Sequence, residues 1–239
     1  MKIVFTPDWF LGSDVLIEVF SFLILALFFA LAYRNYKLSK NKNSLYLGIG
    51  FLIIAIAELS TVLTKLVLYY NTSFTSQIGQ MIITYHVIKS VDIFYYIGFF
   101  FHKLLTLLGF YIIYRIPLKR KMERDSILAI CFIIISALFS SAFSYLFHLA
   151  ALVLLLLIIN NYYQIYKKNK SENTLILIMA FSMLALSQLI FVLSDLNICY
   201  VIGQVIQLVS YLILLFLIIR ITRHLEYGRK KERKNRHNI

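Results

Sequence analysis

A chain of 239 residues, 61% of them hydrophobic, has too few polar side chains to cover the surface of a soluble domain. We therefore predict an integral membrane protein. The net charge of +13 would suggest nucleic-acid binding in a soluble protein. Here the basic residues lie at the ends of apolar stretches, so we expect them to contact anionic lipid head groups and no nucleic acid.

The apolar stretches predict an all-α, polytopic bundle of seven transmembrane helices, because roughly 20 apolar residues cross the hydrocarbon core as a helix. Residues 69–78 are predicted to form a polar loop, and residues 80–90 fit either an interfacial segment or an early part of the third helix. A tight turn near Ser144 separates the fourth and fifth spans. We recognise no internal repeat. The predicted spans are residues 15–33, 44–68, 91–114, 127–143, 146–166, 174–193 and 198–219.

Lys and Arg residues are distributed asymmetrically, and cytoplasmic segments of membrane proteins collect such residues. Basic clusters follow spans one, three, five and seven, which predicts an external amino terminus and a cytoplasmic carboxyl terminus. The predicted domains are a seven-helix transmembrane domain over residues 1–222 and a basic cytoplasmic tail over residues 223–239. Twenty of the 24 Lys and Arg residues form the four clusters: Arg34, Lys37, Lys40, Lys42; Arg115, Lys119, Arg120, Lys121, Arg124; Lys167, Lys168, Lys170; and Arg220, Arg223, Arg229, Lys230, Lys231, Arg233, Lys234, Arg236.

The tail has two interpretations. We favour an anchor on anionic lipid over a docking site for a protein partner. A helical continuation of the seventh span is disfavoured by Gly228.

Polar side chains within the spans are informative, because a charge near the bilayer centre costs roughly 2.5–3.5 kcal/mol on insertion scales. Counting about 1.5 Å per residue from the cytoplasmic ends puts polar groups of five helices at a similar depth. One hypothesis is that these groups and Gln207 bind a ligand. The groups at this depth are Glu18, Glu58, Lys103, Gln188 and Gln204, and a second polar layer nearer the outside contains Lys65, Asp92 and Asp195.

One hypothesis for these residues is an outward-opening polar cavity with Glu58 and Lys103 near its floor, paired directly or through water. The alternative is that they form interhelical hydrogen bonds that only specify packing, which we favour for the glutamines. Lys65 is expected to extend its ammonium to the outer interface. His102 points about 100° away from Lys103, so we assign it to another contact.

Enzymatic chemistry has little support in the sequence. No His-x-x-x-His or Glu-x-x-His spacing indicates a metal site, and no nucleophile elbow or phosphate-binding loop occurs. Cys131 and Cys199 are interpreted as small core residues. We expect no catalytic residue, no metal and no cofactor.

The organisation resembles the seven-helix membrane sensor domains of microbial histidine kinases and their stand-alone prokaryotic relatives. The resemblance is carried by residues 47–52 through Glu58 in the second span, and by residues 202–207 through Tyr211 and Arg220 in the last. It implies that the last helix leads into a cytoplasmic signalling helix. Since the sequence ends 19 residues after Arg220, we expect the signal to pass to a separate protein partner.

Three functions therefore stay open. The first is a non-enzymatic sensor or receptor-like protein of a prokaryotic cell membrane, which binds a small or lipidic ligand and passes a helix shift to a cytoplasmic or membrane protein. The second is a small-solute or proton-coupled transporter that uses Glu58 and Lys103. The third is a structural subunit of a membrane complex.

Overall fold

All regular secondary structure in the computed structural model is helical over the residues it describes, so the all-α prediction is confirmed. The structure describes residues 8–10, 12–78, 81–117, 124–140, 143–192 and 197–237, with side chains at 9–10, 12–67, 95–117, 127–140, 143, 145–192, 198–224 and 227. After a short 3₁₀ helix at Asp8–Phe10, the helices are α1 (Ser13–Ser39), α2 (Lys42–Ile78), α3 (Met81–Arg115), α4 (Arg124–Phe139), α5 (Ser144–Asn169), α6 (Glu172–Val192) and α7 (Asn197–His237).

Two predictions are wrong for one reason: polar residues end a membrane span without ending a helix. The predicted loop at residues 69–78 belongs to α2. Residues 81–90, for which an interfacial segment and an early part of the third helix were both open, belong to α3. No Pro or Gly interrupts residues 69–78, so the backbone stays helical. The tail likewise continues α7 through Gly228 to His237, since one Gly costs only about 1 kcal/mol in a helix.

Six of the seven described helices carry a stretch long and apolar enough to cross a membrane, and α4 is the exception. Its apolar part is Ile127–Phe139, shorter than the roughly 20 residues that a crossing needs. The predicted fourth span, residues 127–143, is thus too long, because the helix ends at Phe139. Seven full crossings and the orientation of the chain stay predictions. The predicted orientation does not require α4 to cross fully, because basic clusters flank the α4–α5 pair at both ends.

The six long helices form a closed ring, and α4 lies outside it. In order around the ring, the contacts are α1 with α2, α2 with α3, α3 with α5, α5 with α6, α6 with α7 and α7 with α1. The main contacts of α4 are with α3 and α5. Ser136 and Ser140 of this segment are buried.

The ring consists of two related three-helix units, α1–α2–α3 and α5–α6–α7, which corrects the expectation that the chain has no internal repeat. α1 and α5 end at positions 130 residues apart, and α2 and α6 begin at positions 130 residues apart. In the two turns, Lys40 and Lys170 have positive φ and donate their backbone N–H groups to Tyr36 and Tyr166, at 2.8 Å in each case. The helix contacts repeat in the same pattern, so a pseudo-two-fold axis relates the units.

The same offset aligns the amino-acid sequences. Residues 33–66 and 163–196 are identical at 13 of 34 positions. The polar identities within and beside the turn are not explained by an apolar composition. We conclude that the three-helix unit is duplicated and that α4 connects the copies. The identical residues are Tyr33, Tyr36, Lys37, Lys40, Asn43, Leu45, Leu47, Phe51, Ala55, Leu59, Val62, Leu63 and Leu66, which recur as Tyr163, Tyr166, Lys167, Lys170, Asn173, Leu175, Leu177, Phe181, Ala185, Leu189, Val192, Leu193 and Leu196.

The third helix of each unit packs against the second at equivalent places. In the first unit, a Cβ added to Gly109 of α3 would lie 2.8 Å from the carbonyl oxygen of Gly50, so α2 and α3 are in close contact. In the second unit, Ser210 of α7 donates a 2.7 Å hydrogen bond to the carbonyl of Ala180, the counterpart of Gly50. The duplication therefore includes the third helix.

Equivalent phenylalanines meet at the centre of the ring. Phe51 of α2 and Phe181 of α6 are fully buried, and their rings stack with centroids 6.2 Å apart. The pseudo-two-fold axis therefore passes between them. Phe28 packs on Phe51 and Tyr162 on Phe181, which fills this level of the core with aromatic rings. The polar residues of the spans lie further from the Lys40 and Lys170 turns.

Candidate functional site

Lys65 of α2 lies at the centre of a buried ionic cluster. Its Nζ is 2.7 Å from Asp14 Oδ2 and 2.5 Å from Glu18 Oε1, both on α1. The two carboxylates reach one ammonium because they are four residues apart on one helix face. Lys65 is 2% exposed and Glu18 is 4% exposed. Buried charges persist when they are paired, so these contacts hold α1 against α2.

Tyr200 brings α7 to the same ammonium. Lys65 donates a 3.3 Å hydrogen bond to Tyr200 Oη, and Gln204, one turn along α7, donates to the same oxygen at 3.2 Å. The group formed by Asp14, Glu18, Lys65, Tyr200 and Gln204 is called the Lys65 cluster below. It joins α1, α2 and α7 at one level.

Glu58 connects α2 to α7 two turns further into the bundle. Gln207 Nε2 and Tyr211 Oη both donate to Glu58 Oε1, at 3.0 and 3.3 Å. Gln207 Nε2 also lies 3.1 Å from Tyr211 Oη. The structure shows no basic partner for Glu58 among the side chains it describes. These three residues are called the α2–α7 clasp.

Glu18 links the Lys65 cluster to the clasp. Its Oε1 binds Lys65, whereas its Oε2 is buried and accepts no hydrogen bond from any described residue. The charge of Glu18 also acts on that of Glu58. Asp14 and Glu18 thus share the Lys65 ammonium, whereas Glu58 is bound by neutral donors, so among the described residues this part of the bundle has more carboxyl groups than cationic partners.

Lys103 does not contact Glu58 directly, contrary to the pairing considered from the sequence. Its Nζ donates a 2.8 Å hydrogen bond to the carbonyl of Ser140, the residue after the end of α4. Carbonyls at the end of a helix lack intrahelical donors and carry partial negative charge, so the ammonium caps α4. The two residues have a similar depth but face different neighbours. A role for Lys103 in ligand binding stays a prediction.

Gln188 and His148 occupy, in the second unit, the positions of Glu58 and Glu18. They contact each other, with 2.9 Å between Gln188 Oε1 and His148 Nδ1. His102 and Lys103 contact different partners, as expected. His102 Nδ1 lies 3.1 Å from the carbonyl oxygen of Ala57. The second unit thus carries a neutral pair where the first carries two carboxyl groups.

The structure gathers four of the six predicted ligand residues, Glu18, Glu58, Gln204 and Gln207, where α1, α2 and α7 meet. The other two lie elsewhere: Gln188 is hydrogen-bonded to His148, and Lys103 is hydrogen-bonded to the Ser140 carbonyl. The Lys65 ammonium was expected to extend to the outer interface, and this is wrong because the two α1 carboxylates hold it inside the bundle. The outer polar layer stays a prediction. Asp195 and the side chain of Asp92 lie outside the described residues.

Asp14, Tyr200 and Tyr211 were not among the predicted ligand residues. A signal was present for two of them, because Asp14 lies four residues before Glu18 and Tyr211 four residues after Gln207. Within the described part of the chain, no group of three or more His, Cys, Asp or Glu side chains could hold a metal ion. The polar side chains of the Lys65 cluster and of the α2–α7 clasp form hydrogen bonds and ion pairs with one another.

Comparison with known families decides the class of the chain. A family model described as a membrane-associated sensor domain, MASE3, matches residues 7–222. The chain belongs to the MASE3 family. The expected likeness to the membrane sensor domains of microbial signalling proteins is thereby confirmed. No curated protein and no solved structure matches the chain.

Membership in MASE3 makes the chain a sensor-like, multi-pass membrane protein. The MASE3 match contains α1 to α6 and the part of α7 that carries Tyr200, Gln204, Gln207 and Tyr211. α7 then continues beyond the matched residues as the same helix.

Proposed function

We propose that the Lys65 cluster and the α2–α7 clasp are the sensing site of this domain, and that α7 carries the change of state towards the cytoplasm. One observation carries the proposal: α7 supplies Tyr200, Gln204, Gln207 and Tyr211 to the site and runs without a break from Asn197 to His237. A ligand that competes for Glu58 or Glu18 would change the contacts of α7 with α1 and α2 directly.

The site has the energetic properties that such a switch needs. The α2–α7 clasp uses two neutral donors on one carboxylate oxygen, and each such hydrogen bond in a membrane contributes about 0.6–2 kcal/mol. A ligand that offers equivalent donors to Glu58 can therefore replace them at small net cost. The equilibrium shifts only by the difference in ligand affinity between the two states.

The cytoplasmic end of α7 has a contact that can report such a shift. Arg220 Nη2 lies 2.6 Å from Glu172 Oε2 of α6, and both side chains are solvent-accessible. An exposed ion pair contributes at most about 1 kcal/mol. It orients the end of α7 but is too weak to hold the helix against a change at the clasp.

Electron paramagnetic resonance tests the coupling. Spin labels are placed at Asn41, in the α1–α2 turn, and at Tyr227 on α7, after the two native cysteines are replaced by serine. In lipid nanodiscs, Tyr211→Phe and Gln207→Leu are expected to shift or broaden the Asn41–Tyr227 distance distribution. Lys103→Met is the matched control, because it removes a buried polar group that caps α4 instead.

Unchanged distributions in both clasp variants would refute the proposal. Uptake into proteoliposomes tests the transporter alternative with the same protein. Solute flux that Glu58→Gln abolishes would replace the sensor function by transport.

A further inference from the structure

The chemistry of the site indicates which ligand it accepts. Lys65 Nζ shows how this bundle binds a primary ammonium: two carboxylate oxygens and a phenol oxygen surround it. The α2–α7 clasp also contains a buried carboxylate and a phenol, but here the phenol and the Gln207 amide donate to Glu58, and no described residue supplies an ammonium. The carboxylates of the Lys65 cluster are paired with a cation of the protein, whereas Glu58 is bound by neutral donors.

Glu18 Oε2 supplies the second, independent observation. This oxygen belongs to a residue that is 4% exposed, and it accepts no hydrogen bond from any described residue. A buried carboxylate oxygen without a donor is costly, because burial removes the water that would otherwise solvate it. A cationic donor at Glu18 Oε2 would supply the missing hydrogen bond, and its charge would offset the unfavourable interaction between the Glu18 and Glu58 carboxylates.

The internal duplication places this position close to the axis of the bundle. Glu58 lies seven residues beyond Phe51, and Gln188 lies seven residues beyond Phe181. Seven residues make about two helical turns, so both side chains stand roughly 10 Å beyond the stacked rings, on the same helix faces. In secondary transporters built from internal repeats, substrates bind near the bilayer midplane where the repeats meet.

We propose that Glu18 and Glu58 bind one small protonated primary amine, next to the pseudo-two-fold axis and on the side of the Phe51–Phe181 stack that carries the Lys65 cluster. The N–H groups of the amine bind Glu18 Oε2 and the Glu58 carboxylate. The equivalent positions in the second unit are His148 and Gln188, which already bind each other and carry no carboxylate. The duplicated bundle therefore holds one amine per chain rather than two.

This inference rests on the proposed function, because it names the ligand of the same sensing site. Its test does not use α7 movement, so the two can fail separately. Purified protein is unfolded by heat at constant pH and ionic strength while methylammonium chloride is increased. Tetramethylammonium chloride is the matched probe, because it has the same charge and no N–H donor.

Methylammonium is expected to raise the melting temperature of the wild type with saturation, and tetramethylammonium is not. Glu58→Gln and Glu18→Gln are expected to weaken the apparent affinity by about tenfold or more, as for the loss of a charged hydrogen bond. Glu172→Gln, which removes an exposed carboxylate far from the site in the chain, should retain the response.

Stabilisation by both salts alike, or an equal response in Glu58→Gln and the wild type, would overturn the proposal. A melting temperature that rises on acidification and does not respond to either salt would also overturn the proposal, since a proton would then neutralise the site. If Glu18→Gln does not fold, the comparison of Glu58→Gln with Glu172→Gln decides the matter alone.

Discussion

Lys65 Nζ and Glu18 Oε1 lie 2.5 Å apart, although the residues are 47 positions apart in the chain and on different helices. With Asp14, they form an ion-pair group that is almost wholly buried. Removal of one partner from such a group leaves an uncompensated charge and typically costs 3–5 kcal/mol, whereas neutral replacement of all partners costs much less.

Lys65→Met should therefore destabilise the domain by about 3 kcal/mol or more. The triple variant Asp14→Asn/Glu18→Gln/Lys65→Met should recover a large part of this loss. Denaturant unfolding in mixed micelles measures both. If the triple variant is less stable than Lys65→Met, the cluster stabilises through packing or hydrogen bonding and not through charge balance.

The cap on α4 gives a second prediction. Lys103→Met leaves the Ser140 carbonyl buried without its charged donor, at a cost of about 1–3 kcal/mol. Hydrogen exchange should then accelerate in the last turn of α4 and stay unchanged in α6. Ser140→Ala is the matched control, because it keeps the backbone carbonyl that Lys103 binds and removes only the hydrogen bond from the Ser140 hydroxyl to the Ala137 carbonyl. An α4 that exchanges equally slowly in Lys103→Met and the wild type would exclude the capping role.

Close packing of α2 on α3 gives a third prediction. A Cβ on Gly109 would meet the Gly50 carbonyl and Ile54, so Gly109→Ala should force the helices apart and cost about 1–3 kcal/mol. Leu186→Ala, on a side chain that is 47% exposed, should have a smaller effect. Thermal unfolding in one detergent compares the two variants, and equal losses would argue against the close contact.

The orientation of the chain gives a fourth prediction. Single cysteines at Trp9 and Tyr227, both exposed, should react with a membrane-impermeant maleimide from opposite sides of intact cells or spheroplasts. Trp9→Cys is expected to react from outside and Tyr227→Cys only after permeabilisation. Reaction of both from one side would remove the basis of the predicted topology.

The helical class, the approximate positions of the long apolar helices and the presence of polar residues within them could be predicted, because these follow from composition along the chain. Which polar residues meet could not be predicted. Glu58 and Lys103 were placed at a similar depth by counting residues, but depth gives no information about which way each side chain faces. Although α3 is a ring neighbour of α2, Lys103 faces Ser140 at the end of α4, and Tyr211 of α7 meets Glu58 instead.

The duplication was present in the sequence and was obscured by apolar composition, which makes any two spans look alike. Its clearest signal lay in the polar turns, where Tyr36 and Lys40 recur as Tyr166 and Lys170. The helix bounds on either side of these turns show the offset, since α1 and α5 end, and α2 and α6 begin, 130 residues apart.

A double-mutant cycle on Glu58 and Tyr211 tests the central claim most directly, because these two residues join α2 to α7. Glu58→Met, Tyr211→Phe and the double variant are compared by unfolding free energy and by the Asn41–Tyr227 distance. We expect a coupling energy of about 1–2 kcal/mol between the two residues. The Asn41–Tyr227 distance in the double variant is expected to equal the distance in either single variant. Additive free energies, with α7 in its wild-type position in all three variants, would contradict the account.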